Sequence, residues 1–167
     1  MKLKFIFIAL TFFTIVTLNA QVTNYQRGLE AFNSGNYEKA LKYMEPYAKD
    51  SNHCVAQYIT GFCYSNNNVE AASDSLSEHY LLLSSNQNFG RAMGTLAVYY
   101  FNNSNNDREM TIKALVWAEL AALYDPMQSL NSAKDMVRKY MKEEDIKTAE
   151  KIIAEKKAIL DELEPCK

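Results

Sequence analysis

The sequence predicts an all-α fold, an α-α superhelix (solenoid) of about four antiparallel helix hairpins. Glycine and proline are scarce, with 5 and 3 among 167 residues, and a sequence pattern recurs at a constant interval along the chain. All-β folds need many tight turns and therefore more of these two residues. The near-neutral balance of 18 basic and 20 acidic residues, with 12% aromatic residues, excludes a disordered tail and a strongly basic nucleic-acid binder.

The first twenty residues predict a signal peptide. Lys2 and Lys4 precede an apolar run from Phe5 to Val16, and Ala20 supplies a small residue before the expected cleavage site. The run is shorter than the about 20 apolar residues that cross a membrane, which leaves an uncleaved anchor as the alternative. We therefore expect an exported protein, periplasmic or secreted, that meets the membrane only through its signal peptide before cleavage. The domain boundaries are then residues 1–20, 21–164 (the helical domain) and 165–167 (a tail).

Three cysteines follow this segment. Exported proteins commonly pair their cysteines. Cys54 and Cys63, however, are nine residues apart on one predicted helix, which places them about 13 Å apart along its axis. A disulfide requires Cα atoms within about 7 Å. We therefore predict that Cys54 and Cys63 are buried, unpaired thiols, and that Cys166 is free or forms an intermolecular bond.

Three equally spaced glycines, Gly28, Gly61 and Gly94, mark the repeat. Asparagine-rich segments follow the glycines, at 33–36, 66–68 and 102–106. Asparagine tolerates the left-handed backbone conformation and forms local turns. Each segment is therefore predicted to join two helices, and each glycine to lie where two helices approach closely.

The segments between these turns carry apolar residues at helical spacing. Leu41 and Met44 share one such face, and small alanines surround Trp117 in a later segment. Helices over 126–140 and 143–163 follow, the last with Glu–Lys pairs at i,i+4 opposite its apolar stripe. The terminal helix of a stack needs such a polar outer face. Counted with the helices before it, this last helix brings the expected number of stacked helices to about eight.

Two segments resemble known helical repeats. Residues 37–41 (YEKAL), with Gly28 upstream, resemble a tetratricopeptide (TPR) hairpin, and residues 113–122 (KALVWAELAA) are similar to the second helix of a Sel1-like repeat. The resemblance spans residues 22–140. It implies a stack of hairpins whose inner wall comes from the first helix of each pair.

The resemblance also implies which residues would face a partner, because groove residues of TPR-like repeats lie at fixed offsets from the repeat glycine. Carried over, those offsets select Tyr25, Leu29, Phe32, Asn33, Tyr58, Phe62, Ser65, Asn66, Arg91, Thr95, Val98 and Tyr99. Among them, Leu29, Phe32 and Phe62 are expected to pack between helices. The expected binding groove, for a protein or peptide, consists of Tyr25, Asn33, Tyr58, Asn66, Arg91 and Tyr99. Tyrosine supplies contact area at low entropic cost, and asparagine can hydrogen-bond an extended backbone.

Neither metal binding nor catalysis is expected. The histidines and cysteines at 53, 54, 63 and 79 lack the close spacing of zinc ligands, and no other cofactor motif is present. Asp74, Ser75 and His79 lie on one predicted helix, whereas a catalytic triad needs groups that converge from separate elements and an oxyanion hole.

These expectations describe an exported, non-catalytic scaffold that binds a protein or peptide and no nucleic acid. Two alternatives stay open. One is a small cell-envelope enzyme or cell-wall-associated hydrolase that uses Asp74, Ser75 and His79. The other is a structural envelope protein that self-associates through its last helix or through Cys166.

Overall fold

A computed structural model describes residues 24–49, 53–105, 107–125 and 131–166, and within these ranges the chain forms eight helices and no strand. The helices are α1 (24–33), α2 (Tyr37–Ala48), α3 (Cys54–Tyr64), α4 (Asp74–Ser85), α5 (Gly90–Asn103), α6 (Arg108–Tyr124), α7 (Asn131–Tyr140) and α8 (Glu143–Leu160). The predicted all-α class is confirmed for this part of the chain. The predicted signal peptide, at 1–20, lies outside the described residues. Among the helices described, none is both long and apolar enough to cross a membrane.

Asparagine-rich turns and polar caps set the helix boundaries. Gly35, between α1 and α2, has a φ of 75°, in the left-handed region that favours glycine. The next residue, Asn36, caps α2 by accepting a hydrogen bond from the backbone N–H of Lys39 at 3.1 Å. Asp107 caps α6 in the same way, through the backbone N–H of Met110 at 2.8 Å. The turns predicted at 33–36 and 66–68 are confirmed, whereas α5 continues to Asn103 and its turn begins later.

The helices α3 and α4 form an antiparallel pair. The backbone N–H of Ser73, just before α4, donates to the carbonyl of Tyr64 at the end of α3, at 2.9 Å. At the other end of the pair, the Ser84 hydroxyl donates to the carbonyl of Cys54 at 2.8 Å. The aromatic contacts of α1 with α2 show the same orientation, since Tyr25 and Tyr47 lie 5.4 Å apart at one end and Phe32 and Tyr37 lie 5.9 Å apart at the other.

The helices α5 and α6 form a third antiparallel pair. Gly90, at the start of α5, lies against Asp125, directly after α6. Lys113, near the start of α6, lies over the ring of Tyr100, near the end of α5. Successive pairs are also in contact, because α2 packs on α3 and α4 packs on α5.

Two of the three repeat glycines lie where the two helices of a pair touch. A Cβ on Gly28 of α1 would lie 2.9 Å from Cε of Met44 in α2. A Cβ on Gly61 of α3 would lie 2.8 Å from Cγ of Leu81 in α4, and 2.9 Å from its backbone nitrogen. Gly94 of α5 is also buried. The predicted close approach is therefore confirmed at Gly28 and Gly61.

Two tyrosine–glutamate hydrogen bonds link one pair to the next. The Tyr64 hydroxyl of α3 donates to Glu45 of α2 at 3.0 Å, and the Tyr100 hydroxyl of α5 donates to Glu78 of α4 at 2.5 Å. The interval between Glu45 and Glu78 equals the interval between successive repeat glycines. The same type of contact therefore recurs one repeat later.

The last two helices close the fold against α6. The start of α8 is held by the ion pair between Arg108 and Asp145, and its end by the Tyr124 hydroxyl, which donates to Asp161 at 2.6 Å. The first contact joins the starts of α6 and α8, and the second joins their ends, so α8 runs parallel to α6. Arg138 of α7 donates to Glu119 of α6 at 3.0 Å, which fixes α7 on the same helix.

The prediction that Cys54 is unpaired is wrong. Cys54 forms a disulfide with Cys166, with Cα atoms 6.3 Å apart, and Cys166 is therefore neither free nor available for a covalent dimer. The reason is the path of the chain: the Asn88 side-chain amide donates to the carbonyl of Leu160 at 3.3 Å and brings the end of α8 to the α4–α5 connection. The tail then reaches the first turn of α3. Cys63 is free and buried, as predicted, and burial raises its pKa to about 12.

Stability is expected to fall above pH 10, because two tyrosines, the buried Tyr64 and the half-buried Tyr124, are hydrogen-bonded to carboxylates. Burial, and then hydrogen bonds with Glu45 and Asp161 respectively, raise the pKa of Tyr64 and of Tyr124 to about 12. A folded-state pKa above the unfolded value near 10 gives stability that is complete below pH 10 and is lost as the pH rises towards 12. The free energy of urea unfolding, measured at pH 8, 10 and 11, checks this decrease.

The matched variants are Tyr64→Phe and, as a control, Tyr43→Phe on α2. Tyr64→Phe should make the decrease with pH shallower, since it removes a group that keeps its proton only in the folded state. Tyr43→Phe should leave the decrease unchanged. Equal slopes for Tyr64→Phe and the unmodified protein would contradict the assignment.

Candidate binding surface on helices α3 and α5

A depression of about 390 Å³ lies between the carboxyl-terminal halves of α3 and α5 and the start of α4. We call it the α3–α5 depression, and it is lined by Phe62, Ser65, Asn67, Asp74, Thr95, Val98, Tyr99, Asn102 and Asn103. Five of these residues are ones that the repeat offsets selected: Phe62, Ser65, Thr95, Val98 and Tyr99. The first helices of two successive pairs therefore share one concave site.

Among the apolar residues of the depression, Phe62 and Tyr99 contact neighbouring aromatic rings, whereas Val98 is open to solvent. Phe62 lies edge to face with Phe32 of α1, with ring centroids 5.3 Å apart, so its position is set by the neighbouring pair. The Tyr99 ring lies 5.4 Å from that of Tyr100. Val98 has no such cover and is 48% exposed. An apolar side chain from a partner could therefore remove Val98 from water, at a gain of about 25 cal/mol per Å² buried.

The rim of the depression is polar. Asn67, Asp74 and Asn102 are exposed, and among the described residues no hydrogen bond occupies their side chains. The Asn103 side-chain amide, by contrast, donates to the carbonyl of Tyr99 at 2.9 Å. An asparagine side chain offers both a donor and an acceptor, the two groups that an extended peptide backbone needs.

One wall of the depression is acidic. Burial raises the pKa of the Tyr99 hydroxyl, and the carboxylates of Glu78 and Asp74 raise it further. Arg91, near the start of α5, is exposed, and its guanidinium lies 4.0 Å from the Asp125 carboxylate. The Asp125 carboxylate therefore partly balances the positive charge of Arg91. The negative electrostatic potential that Glu78 and Asp74 create near Tyr99 favours cationic groups of a partner.

Of the six residues predicted to form the groove, only Tyr99 lines the depression. Tyr58 was expected to be exposed, and this is wrong, because Tyr58 is only 9% exposed. Its ring lies 5.9 Å from Phe32 and 5.3 Å from Phe89, so aromatic residues of α1 and of the α4–α5 connection close over it. The same burial raises the pKa of the Tyr58 hydroxyl, and the nearby Thr95 and Arg91 partly offset this rise.

The other predicted residues lie elsewhere. Tyr25 is half-buried, with its ring 5.4 Å from Tyr47 and 4.9 Å from His53. Asn33 is exposed at the end of α1. The side chain of Asn66 accepts from the backbone N–H of Asn68 at 2.9 Å, which stabilises the α3–α4 turn. None of Tyr25, Asn33 and Asn66 lines the α3–α5 depression.

Sequence reasoning missed the four polar residues of the rim. Asn67, Asn102 and Asn103 belong to the asparagine-rich segments, which were interpreted only as turns. Asp74 was considered only as part of a catalytic group. The position of the asparagine-rich segments in the chain could have indicated their role. These segments directly follow or end α3 and α5, the helices that carry residues at the repeat offsets.

Two of the three residues considered for catalysis lie outside the depression. Ser75 and His79 are exposed on α4, the same helix as Asp74, and neither lines the α3–α5 depression. Within the described ranges, no group of three or more histidine, cysteine or acidic residues is placed to hold a metal ion.

Comparison of the chain with protein-family models, with curated proteins and with solved structures finds no match. The structure defines a class, an all-α protein of antiparallel helix pairs with a polar-rimmed depression on two first helices.

Proposed function

We propose that this protein is an exported, non-catalytic scaffold that binds an extended peptide segment of another protein in the α3–α5 depression. The proposed architecture is a Sel1-like or TPR-like superhelix, in which α7 and α8 follow the three antiparallel pairs as the fourth hairpin. One observation carries the proposal: the first helices of two successive pairs line one concavity, with residues at the repeat offsets. Such helices form the inner wall of helical repeat proteins.

The chemistry of the depression suits a peptide better than a folded surface. Val98 and Tyr99 offer apolar contact to a side chain, while the free amides of Asn67 and Asn102 can pair with the peptide backbone. Pairing matters, because a backbone group that leaves water without a partner costs about 1–3 kcal/mol. Asp74 and the field around Tyr99 favour a segment that carries lysine or arginine.

Export is supported by two independent features. Residues 1–20 follow the pattern of a signal peptide, and the Cys54–Cys166 disulfide is of the kind that persists in oxidising compartments.

Val98→Lys is expected to weaken peptide binding at least about tenfold, because it replaces the open apolar position of the depression with a positive charge that also repels a basic peptide. A peptide is first selected from a random library on the immobilised protein, and its Kd is measured by calorimetry. We expect the selected sequences to combine an aliphatic or aromatic residue with a basic one.

The matched control is Leu123→Lys on α6, since Leu123 is 53% exposed and lies outside the depression. Its Kd should stay within about twofold of the unmodified value. Failure to select any peptide, or equal loss of affinity in both variants, would contradict the proposed site.

A further inference from the structure

A second cleft, of about 310 Å³, lies among α4, α5, α6 and α8. Leu82, Ile112, Val116 and Ile152 give it aliphatic walls, and Trp117 lies among them. We call it the Trp117 cleft. Its volume lies at the lower end of the range for small-molecule sites, about 300–1,000 Å³, so it suits a small ligand.

Lys156 of α8 places a cation at this cleft. Its Nζ lies 4.6 Å from the centroid of the Trp117 ring, close enough for a cation–π contact. Among the described residues it has no ion-pair partner. Burial lowers the pKa of Lys156, and no carboxylate offsets that effect. A half-buried ammonium without a counter-ion is costly, and an anion that entered the cleft would relieve this cost.

The remaining charged groups of the cleft have partners. Glu78 accepts the hydrogen bond of the Tyr100 hydroxyl, and Lys113 pairs with Glu109 at 2.8 Å. Lys156 is therefore the lining cation left for a ligand. Because Glu78 lies in the same cleft, a singly charged anion fits better than a doubly charged phosphate.

We propose that the Trp117 cleft binds an aliphatic monocarboxylate, with the carboxylate at the ammonium of Lys156 and the hydrocarbon chain between the walls of Leu82 and Ile152. The charge and the apolar walls together select this ligand, since neither a neutral alkane nor a small hydrophilic anion would satisfy both. This site does not depend on peptide binding in the α3–α5 depression, as the two cavities share no lining residue.

Titration with octanoate tests the proposal. Trp117 is the single tryptophan of the chain, so its fluorescence reports on this cleft alone, and calorimetry gives the Kd independently. We expect saturable binding whose affinity rises about fourfold for each methylene added from butanoate to octanoate. Octylammonium, with the opposite charge, should not bind.

The variant Lys156→Met keeps an unbranched side chain and removes the charge, and it should weaken octanoate binding about 10- to 100-fold. Lys151→Met, at an exposed lysine of the same helix, should change the Kd by no more than about twofold. Absence of saturable binding, an affinity independent of chain length, or unchanged binding by Lys156→Met would each overturn the proposal.

Discussion

Removing the Cys54–Cys166 disulfide is expected to lower the free energy of unfolding by about 3–5 kcal/mol. The bond joins residues separated by 112 positions, and a cross-link over a long loop restricts the unfolded chain most. It also fastens the tail after α8 to the first turn of α3, which joins an early helix and the end of the described chain in one cooperative unit. Urea unfolding of Cys166→Ser, compared with the unmodified protein, measures the loss.

Reduction provides the internal control. A reductant should destabilise the unmodified protein by the same amount as Cys166→Ser, and should have no effect on Cys166→Ser itself, because that variant retains only the thiols of Cys54 and Cys63. A protein whose stability does not change on reduction would contradict the disulfide.

Gly61→Ala is expected to destabilise the protein by about 2 kcal/mol through overpacking, although alanine is normally the better helix former. The new Cβ would lie 2.9 Å from the backbone nitrogen of Leu81 and 3.1 Å from the carbonyl oxygen of Ser77. Backbone atoms cannot move aside unless α3 and α4 separate, and such overpacking costs up to about 3 kcal/mol. The gain in helix propensity returns only about 1 kcal/mol. Urea unfolding measures the net change.

Gly28→Ala is the matched control, since Gly28 is the equivalent glycine of the preceding pair. Its Cβ would lie 2.9, 3.0 and 3.1 Å from Cε, Cγ and Sδ of Met44, and a flexible methionine side chain can shift more readily than the backbone atoms met at Gly61. We expect a change within about 1 kcal/mol, of either sign. Equal costs at Gly28 and Gly61, or a stabilised Gly61→Ala, would show that α3 and α4 do not touch at Gly61.

Local features of the fold could be predicted from the sequence. The helical period, the turns at 33–36 and 66–68 and the close approach at Gly28 and Gly61 depend on residues near one another in the chain. The offsets carried over from the TPR resemblance also selected Tyr99, which lines the depression, and Phe62, which was expected to pack between helices and does contact Phe32.

Features that depend on the path of the chain could not be predicted. The spacing of Cys54 and Cys63 excluded their pairing, but nothing local to Cys166 indicates that the tail returns to α3. Tyr58 occupies an offset expected to be exposed, and it is buried because Phe32 and Phe89, from distant segments, cover it. Only the packed structure shows such long-range cover.

We propose that the first helices of successive pairs form the peptide-binding surface. The most direct test is to follow the amide chemical shifts of the ¹⁵N-labelled protein during titration with the selected peptide. We expect the perturbed amides to cluster around the α3–α5 depression, at Thr95, Val98 and Tyr99 and in the turn after α3. Perturbations confined to α6 and α8, with these amides unchanged, would contradict it.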